Sequence, residues 1–535
     1  MNSQSKVVCQ VADLNAGQMK QFSVEGTDIL LINIDGQFLA TGAYCSHYGA
    51  PLETGILYCD KSATRVICPW HNACFSATIG KMLAPPGRDN LATFPVEIKD
   101  DMVYVELPNK PCQHEPPEMA AYSEADTRQF IIVGGGAGGS AAAEMIRQVG
   151  FQGKITILTQ ETELPYDRTK LSKAHLQSDG KQSEVQELRS QSFYQQHHID
   201  IYTGVKITKL DTNACQIHDS AGKTYCYDSL LLATGGRVHQ LKIPGSDLKN
   251  IYTLRQANDA ANLVAAAQKV QKVVVVGAGF IGMEAAASLT QRGLEVTVVA
   301  PSLPFEKVLG KQVGKLFQNL HEENGVTFYC GSKVVKIHGK DQVSAVELDS
   351  GEQLETDMIL VGIGVDPATD WLKSSLDLTD AGAVSVNQYL QAADNVYAVG
   401  DIASFPERTT GKPVRIEHWR LALQQGQTAA CNMAGHAIPF RAVPFFWTGQ
   451  YDIKLRYVGH AETWNSIHID GSLEQKKFLA FYLQDDRIAA VAGIGCDRDI
   501  AAISELMRLD QMPTANKLQQ QIDWTAYLNT DRLFR

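Results

Sequence analysis

Apolar and polar positions alternate in short runs along the first hundred residues. Ile29–Ile34 and Gln37–Ala40 flank the turn Asp35-Gly36, and Thr64–Ile67 and Met102–Glu106 repeat the pattern. A period of two broken by frequent turns predicts a small all-β module over 1–107. The stretch from Leu107 to Glu118 holds four prolines and no periodicity, which predicts a semi-stiff linker over 108–127 that tethers the module to the rest. The pattern changes at Arg128. Ile131–Val133 is a short, wholly apolar run leading into Gly134-Gly135-Gly136-Ala137-Gly138-Gly139 and an Ala-rich helical stretch, Ala141–Gln148. Ile155–Leu158 is a second such run. Lys272–Val276 leads into Gly277-Ala278-Gly279-Phe280-Ile281-Gly282 and another helical stretch. Apolar runs fit for buried strands, alternating with helices, predict two parallel α/β units. Leu421–Met433 reads as helix. Beyond Val443, strand-like runs at Lys477–Leu483 and Ile488–Ile494 precede a helix-rich tail, and no chemistry is legible there.

The two glycine loops narrow the α/β units further. Each places Gly-x-Gly-x-x-Gly between a strand and a helix, at Gly134, Gly136 and Gly139 and again at Gly277, Gly279 and Gly282. The first glycine makes the tight turn, the second lets backbone approach a pyrophosphate, and the third permits close helix–strand packing. One such loop is a weak signal. Two in one chain predict two Rossmann-like domains, each with its own dinucleotide phosphate cradle, as a protein that binds both a flavin and a nicotinamide would need. Glu161, just after the second strand, stands where an acid can accept the adenosine ribose hydroxyls; a solvated surface glutamate is the alternative. The strand Glu295–Val299 ends in Ala300 rather than an acid, and Pro301-Ser302 offers no arginine for a 2′-phosphate. Lys307 is the nearest candidate for that role. NADH is therefore favoured over NADPH, with both left open.

In the β module, Cys45-Ser46-His47 and Cys68-Pro69-Trp70-His71 each present one thiol and one imidazole. Four such ligands can hold structural zinc. One Cys and one His from each of two loops is also the ligand order of a Rieske 2Fe-2S centre, with two histidines on one iron and two cysteines on the other. Gly49-Ala50-Pro51-Leu52 after the first loop, and Gly80 with Pro85-Pro86-Gly87 after the second, resemble the Rieske pattern. Ala50 and Trp70 stand where high-potential Rieske proteins carry a disulfide, and Ala73 and Phe75 replace their hydroxyl donors. With fewer hydrogen bonds to sulfur the expected potential lies near the low end of the Rieske range, about −150 mV.

Further segments resemble the flavoprotein ferredoxin reductases. Pro165-Tyr166-Asp167-Arg168 with Leu171-Ser172-Lys173 matches the family's segment along the FAD, implying that Arg168 and Lys173 contact it. Ala233-Thr234-Gly235 resembles the motif that ends the FAD-domain strand, and Val361–Pro367 its counterpart in the nicotinamide domain. Gly400-Asp401 resembles the motif whose acid binds the ribityl chain. Arg415–Trp419 matches the segment beside the flavin ring, where His418 or Trp419 is expected to shield it. The resemblance also implies that Glu284 pairs with Lys173 beside the reactive ring edge, and that Ala137 belongs to the FAD phosphate turn. No Cys-x4-Cys occurs near these motifs, which argues against a dithiol mechanism. Residues 128–535 thus resemble a ferredoxin reductase or an apoptosis-inducing-factor-type oxidoreductase. With the Rieske module in front, the whole chain resembles the Rieske-bearing apoptosis-inducing-factor-like proteins.

The expected architecture is multidomain. An all-β Rieske domain (1–107) and linker (108–127) precede an FAD-binding domain (128–248 and 372–440), a NAD(P)H-binding domain (249–371) and a C-terminal α+β interface domain (441–535). The resemblance implies hydride transfer from NAD(P)H to FAD, single-electron transfer to the Rieske cluster, and delivery to an unidentified acceptor. The alternatives are a direct reductase of a quinone or oxygen, and a redox-sensing regulatory protein. A self-contained Rieske oxygenase lacks support, because no Asp-x-x-His-x4-His iron site is present. A formal net charge of −11 argues against nucleic acid and against an anionic membrane surface as partners. No apolar run suits a signal peptide or a membrane span, and eleven cysteines, an odd number, suit reduced thiols. The expected location is cytoplasmic, with a homodimer left open.

Overall fold

The computed structural model describes residues 4–59, 63–178 and 185–529. The N-terminal module is all-β. Gln18–Val24, Thr27–Ile34, Gln37–Gly42 and Thr93–Phe94 form one antiparallel sheet, and Gln4–Gln10, Met102–Leu107 and Val96–Lys99 a second. Their inner faces share a core of Leu14, Ile29, Leu31, Phe38, Val103 and Val105. A third sheet, the meander Ile56–Cys59, Thr64–Ile67, Cys74–Ser76 and Met82–Ala84, carries the second Cys/His loop on the connection between its middle strands.

The first α/β unit is a six-stranded sheet in the order Ile199–Tyr202, Lys154–Leu158, Gln129–Val133, Ser229–Leu232, Val396–Ala398, Gln391–Ala393, parallel except at the last edge. Its central strands are apolar on both faces because helices cover them. The second unit is a five-stranded parallel sheet, Ile251–Thr253, Met358–Val361, Lys272–Val276, Glu295–Ala300 and Thr327–Cys330. Helices Ala137–Gln148 and Phe280–Gln291 start at Gly136 and Gly279 as N-caps. A Cβ at Gly139 would lie 1.9 Å from Gly134 O, and one at Gly282 would lie 2.4 Å from Gly277 O. The same steric demand therefore recurs in both loops, and only glycine meets it.

The C-terminal section is a five-stranded antiparallel sheet, Phe445–Gln450, Ile453–Gly459, Arg487–Ile494, Lys477–Gln484, Ser466–Ser472, backed by the helices Asp497–Arg508 and Trp524–Asn529. No described helix is long and apolar enough to cross a membrane.

The proline-rich stretch is bound down at both ends. His114–Glu115 pairs with Asn90–Leu91, and the Gln113 side chain accepts from Ala43 N and donates to Asp28 O. Ala120 N and Ser123 N donate to Arg147 O and Gln152 O of the first α/β unit. The β module is likewise fixed rather than loosely tethered. Ile56, Tyr58, Ile67 and Cys74 join Phe445, Val458, Phe481, Ile503 and Trp524 in one apolar core. The stretch runs between the β module and the first α/β unit, and the backbone pairing and the shared core fix the module in place.

Candidate functional site

A cavity of about 1050 Å³ runs along the carboxyl ends of the first sheet, where ligands bind in open α/β folds. The glycine turn follows Val133, and φ of 115° at Gly134 favours a residue without Cβ. Gly134, Gly136, Ala137, Glu161, Arg168, Lys173, Ala233, Thr234, Gly235, Gly400, Asp401, His418 and Trp419 all line this cavity, as does Glu284 from the second unit. Gly139 lies behind the turn in the helix packing. Gly277, Gly279 and Gly282 are not among the cavity's lining residues and form the separate turn of the second sheet.

The polar side chains at the cavity are interlinked. Arg168 donates to Glu161 at 2.5 Å, and its other nitrogen donates to the Arg255 carbonyl. Tyr166 donates to the second Glu161 oxygen at 2.5 Å. Glu161 is therefore a partner of protein groups rather than a solvated acid. Arg255 pairs with Asp401 at 2.6 Å. Lys173 meets Glu284 at 2.7 Å, with Glu284 only 4 % exposed. Two donors that sequence reading missed, Ser172 and Thr448, also hydrogen-bond this carboxylate. His418 Nδ1 is buried without a hydrogen-bond partner, and burial pushes its pKa down to about 3. The ring is thus neutral, with one polar atom left for a ligand.

The two Cys/His loops meet at one end of this cavity. Cys45 N donates to Ala50 O and Cys68 N to Ala73 O, closing both loops. Each thiol receives backbone N–H groups of its own loop, from His47 and Tyr48 on Cys45 and from Trp70 and His71 on Cys68. The imidazoles face each other, Nδ1 to Nδ1, at 3.0 Å. Burial lowers the pKa of both, that of His47 to about 4, so both are neutral and able to ligate. A tetrahedral zinc site needs four ligands on one point. Paired thiols beside paired imidazoles fit a binuclear cluster instead. Cys74, next to the loop, points into the shared core. Burial pushes its thiol up to about 11, making it an inert packing residue. No disulfide links the described cysteines.

The histidine side of this centre is turned inward. The Trp447 ring lies 4.2 Å from the His71 ring and lines the cavity. Tyr48 stacks on His47 at 3.7 Å and donates to Asp167 of the segment preceding Arg168. Arg456 donates to Trp70 O at 2.7 Å, and Arg420 donates to Pro85 O at 2.8 Å and to Asn72 O at 2.9 Å. The expectation that the last section holds no chemistry is therefore overturned, because Trp447, Thr448 and Arg456 all reach the site from it. A signal was present in Phe445–Gln450, where three consecutive aromatics run directly into Thr448 and Gln450.

Comparison with known proteins finds matching families over most of the chain. Residues 4–95 match the Rieske [2Fe-2S] domain, 128–426 the pyridine nucleotide-disulphide oxidoreductase family, and 445–524 the reductase C-terminal domain. The chain is 36% identical over 514 residues to apoptosis-inducing factor 3 of Homo sapiens, covering 94% of this chain and 83% of that one. It is 32% identical over 402 residues to rhodocoxin reductase of Rhodococcus erythropolis, covering 75% and 93%. In the solved covalent putidaredoxin reductase–putidaredoxin complex, a chain 29% identical superposes with a TM-score of 0.71, covering 76% of this chain and 99% of that one. An FAD site, a nicotinamide dinucleotide site and a Rieske 2Fe-2S site thus lie on one polypeptide. The chain belongs to the pyridine nucleotide-disulphide oxidoreductase family, as an NAD(P)H-dependent flavoprotein of the ferredoxin-reductase type with its own N-terminal Rieske domain.

Proposed function

We propose that this protein moves electrons from NAD(P)H through FAD to its own Rieske cluster, and from there to an external acceptor. One observation carries the internal route: Trp447 lines the FAD cavity and its ring lies 4.2 Å from that of the ligand histidine His71. When bound, the FAD takes up a hydride and releases single electrons, and the cluster accepts them one at a time. In this reading Cys45, His47, Cys68 and His71 hold the cluster. Gly134, Gly136 and Ala137 cradle the FAD pyrophosphate, and Glu161, Arg168 and Asp401 meet its sugar and ribityl hydroxyls. Lys173 and Glu284 stand at the reactive ring edge, with His418 and Trp419 excluding water from the ring. Gly277, Gly279 and Gly282 receive the nicotinamide dinucleotide. NADH is the favoured donor, because the strand Glu295–Ala300 runs on into Pro301-Ser302-Leu303-Pro304, a stretch of sequence that holds no arginine.

The test is anaerobic stopped-flow mixing with NADH, and separately with NADPH, following flavin bleaching together with the paramagnetic signal of the reduced cluster. In the parent protein, bleaching followed by growth of the cluster signal is expected. In His71→Ala, bleaching persists within about twofold while reduction of a one-electron protein acceptor is lost. A parent cluster that stays oxidised for minutes after the flavin bleaches would overturn the internal route.

A further inference from the structure

His321 lies on the helix Glu306–Glu323 with 0 % exposure, and none of the roles assigned above involves it. Its Nε2 is 2.7 Å from Gln450 Oε1. Gln450 Nε2 donates to Thr448 Oγ1 at 3.2 Å, and Thr448 Oγ1 donates to Glu284 Oε1 at 2.7 Å. Beyond the ring, Tyr451 OH is 3.4 Å from His321 Nδ1. The other Glu284 oxygen takes Lys173 Nζ and Ser172 Oγ. A continuous hydrogen-bonded line therefore joins a buried imidazole to the carboxylate at the cavity.

The polarity of that line follows from the chemistry of its members. An ionised carboxylate only accepts, so the Thr448 hydroxyl points its hydrogen at Glu284. Its oxygen then accepts from the Gln450 amide nitrogen, which turns the amide oxygen toward His321. An amide oxygen also only accepts, so His321 carries its hydrogen on Nε2 and leaves Nδ1 to accept from Tyr451. Burial, which lowers the ring's pKa to about 4, keeps it neutral.

We propose that His321, Gln450 and Thr448 form a positioning chain that fixes a hydroxyl donor onto Glu284 and disperses part of its negative charge. Lys173 then acts on the flavin as a less compensated cation, which favours the reduced, anionic form. The inference rests on the placement of the flavin edge at Lys173 and Glu284 given above.

The deciding measurement is an anaerobic redox titration of the flavin in the holoprotein. Thr448→Val keeps the shape of the side chain and removes the donor. Its equilibrium constant for two-electron reduction is expected to fall about tenfold, a potential about 30 mV more negative. Thr448→Ser returns it to within about threefold of the parent. Lys173→Met is titrated alongside. If it shifts the potential and Thr448→Val does not, the chain is refuted and the flavin placement stands. If neither shifts it, the placement itself is wrong and the inference goes with it. Nitrogen NMR of the histidine-labelled parent protein, assigned with His321→Phe, gives a second readout that needs no folded Thr448 variant. A proton on Nε2 is expected, and one on Nδ1 overturns the chain.

Discussion

Trp447 belongs to a strand of the C-terminal sheet, yet its ring meets a histidine of the N-terminal module and borders the cavity of a third domain. Replacing it with leucine keeps an apolar side chain and removes the aromatic bridge. Trp447→Leu is expected to slow cluster reduction tenfold or more in stopped-flow while flavin bleaching by NADH stays within about twofold. His321 gives a different prediction. Its folded pKa of about 4 lies below the ordinary 6.5. Between those values the unfolded chain binds a proton that the folded chain refuses, so stability is full above pH 6.5 and falls as pH drops through 4. The loss is about 3 kcal/mol by pH 4. His321→Phe should flatten this part of the profile, seen as a smaller drop in thermal midpoint between pH 7 and pH 4.5. The Lys173–Glu284 pair was legible in sequence only through the resemblance to the ferredoxin reductases, which sets an acid of the second glycine helix against the Leu-Ser-Lys lysine. Thr448, Gln450 and His321 were not, because each joins the network from a distant segment and no local spacing records the meeting.

Among the elements, the meander carrying the second Cys/His loop depends on the C-terminal sheet and its helices for its outer cover. Ile67, 2 % exposed, packs in the core shared with Phe445, Phe481 and Trp524. Ile67→Ala is expected to cost about 2–5 kcal/mol. It should also speed limited proteolysis within residues 443–529, a region far away in sequence, as read by mass spectrometry of the fragments. The elements themselves were largely visible in the hydrophobic pattern. Both strand–glycine–helix units are present, and the two helices begin at Ala137 and Phe280 beside the predicted turns. The pattern did not show which apolar faces meet. Ile56, Tyr58, Ile67 and Cys74 belong to the β module, yet their apolar side chains form an interface with the C-terminal sheet. The prolines mark where regular structure stops, and they are silent on whether Gln113, His114 and Ala120 find partners on either side.

For the molecule as a whole, internal and external electron transfer should respond differently to salt. The cluster loops are held against the reductase domains by buried and half-buried contacts, with Asn72 donating to Ser504 at 2.8 Å and Arg189 pairing with the half-buried Asp89 at 2.7 Å and the buried Glu144 at 2.9 Å. Screening acts on encounters through solvent and much less on buried pairs. The rate of cluster reduction by NADH is therefore expected to change less than twofold between 20 mM and 500 mM salt. Delivery to a charged protein acceptor should fall several-fold over the same range. A strongly salt-dependent internal rate would mean that the two domains part and meet again during turnover.

The shared core also bears on how the protein is made. The meander leaves the ribosome early, carrying Ile56, Tyr58 and Ile67, whereas the strands that cover them begin only at Phe445. At about 5–20 residues per second, that apolar face waits tens of seconds for its cover during synthesis. Overproduction should therefore tax chaperones most in this interval, and an isolated N-terminal fragment should aggregate through the same face.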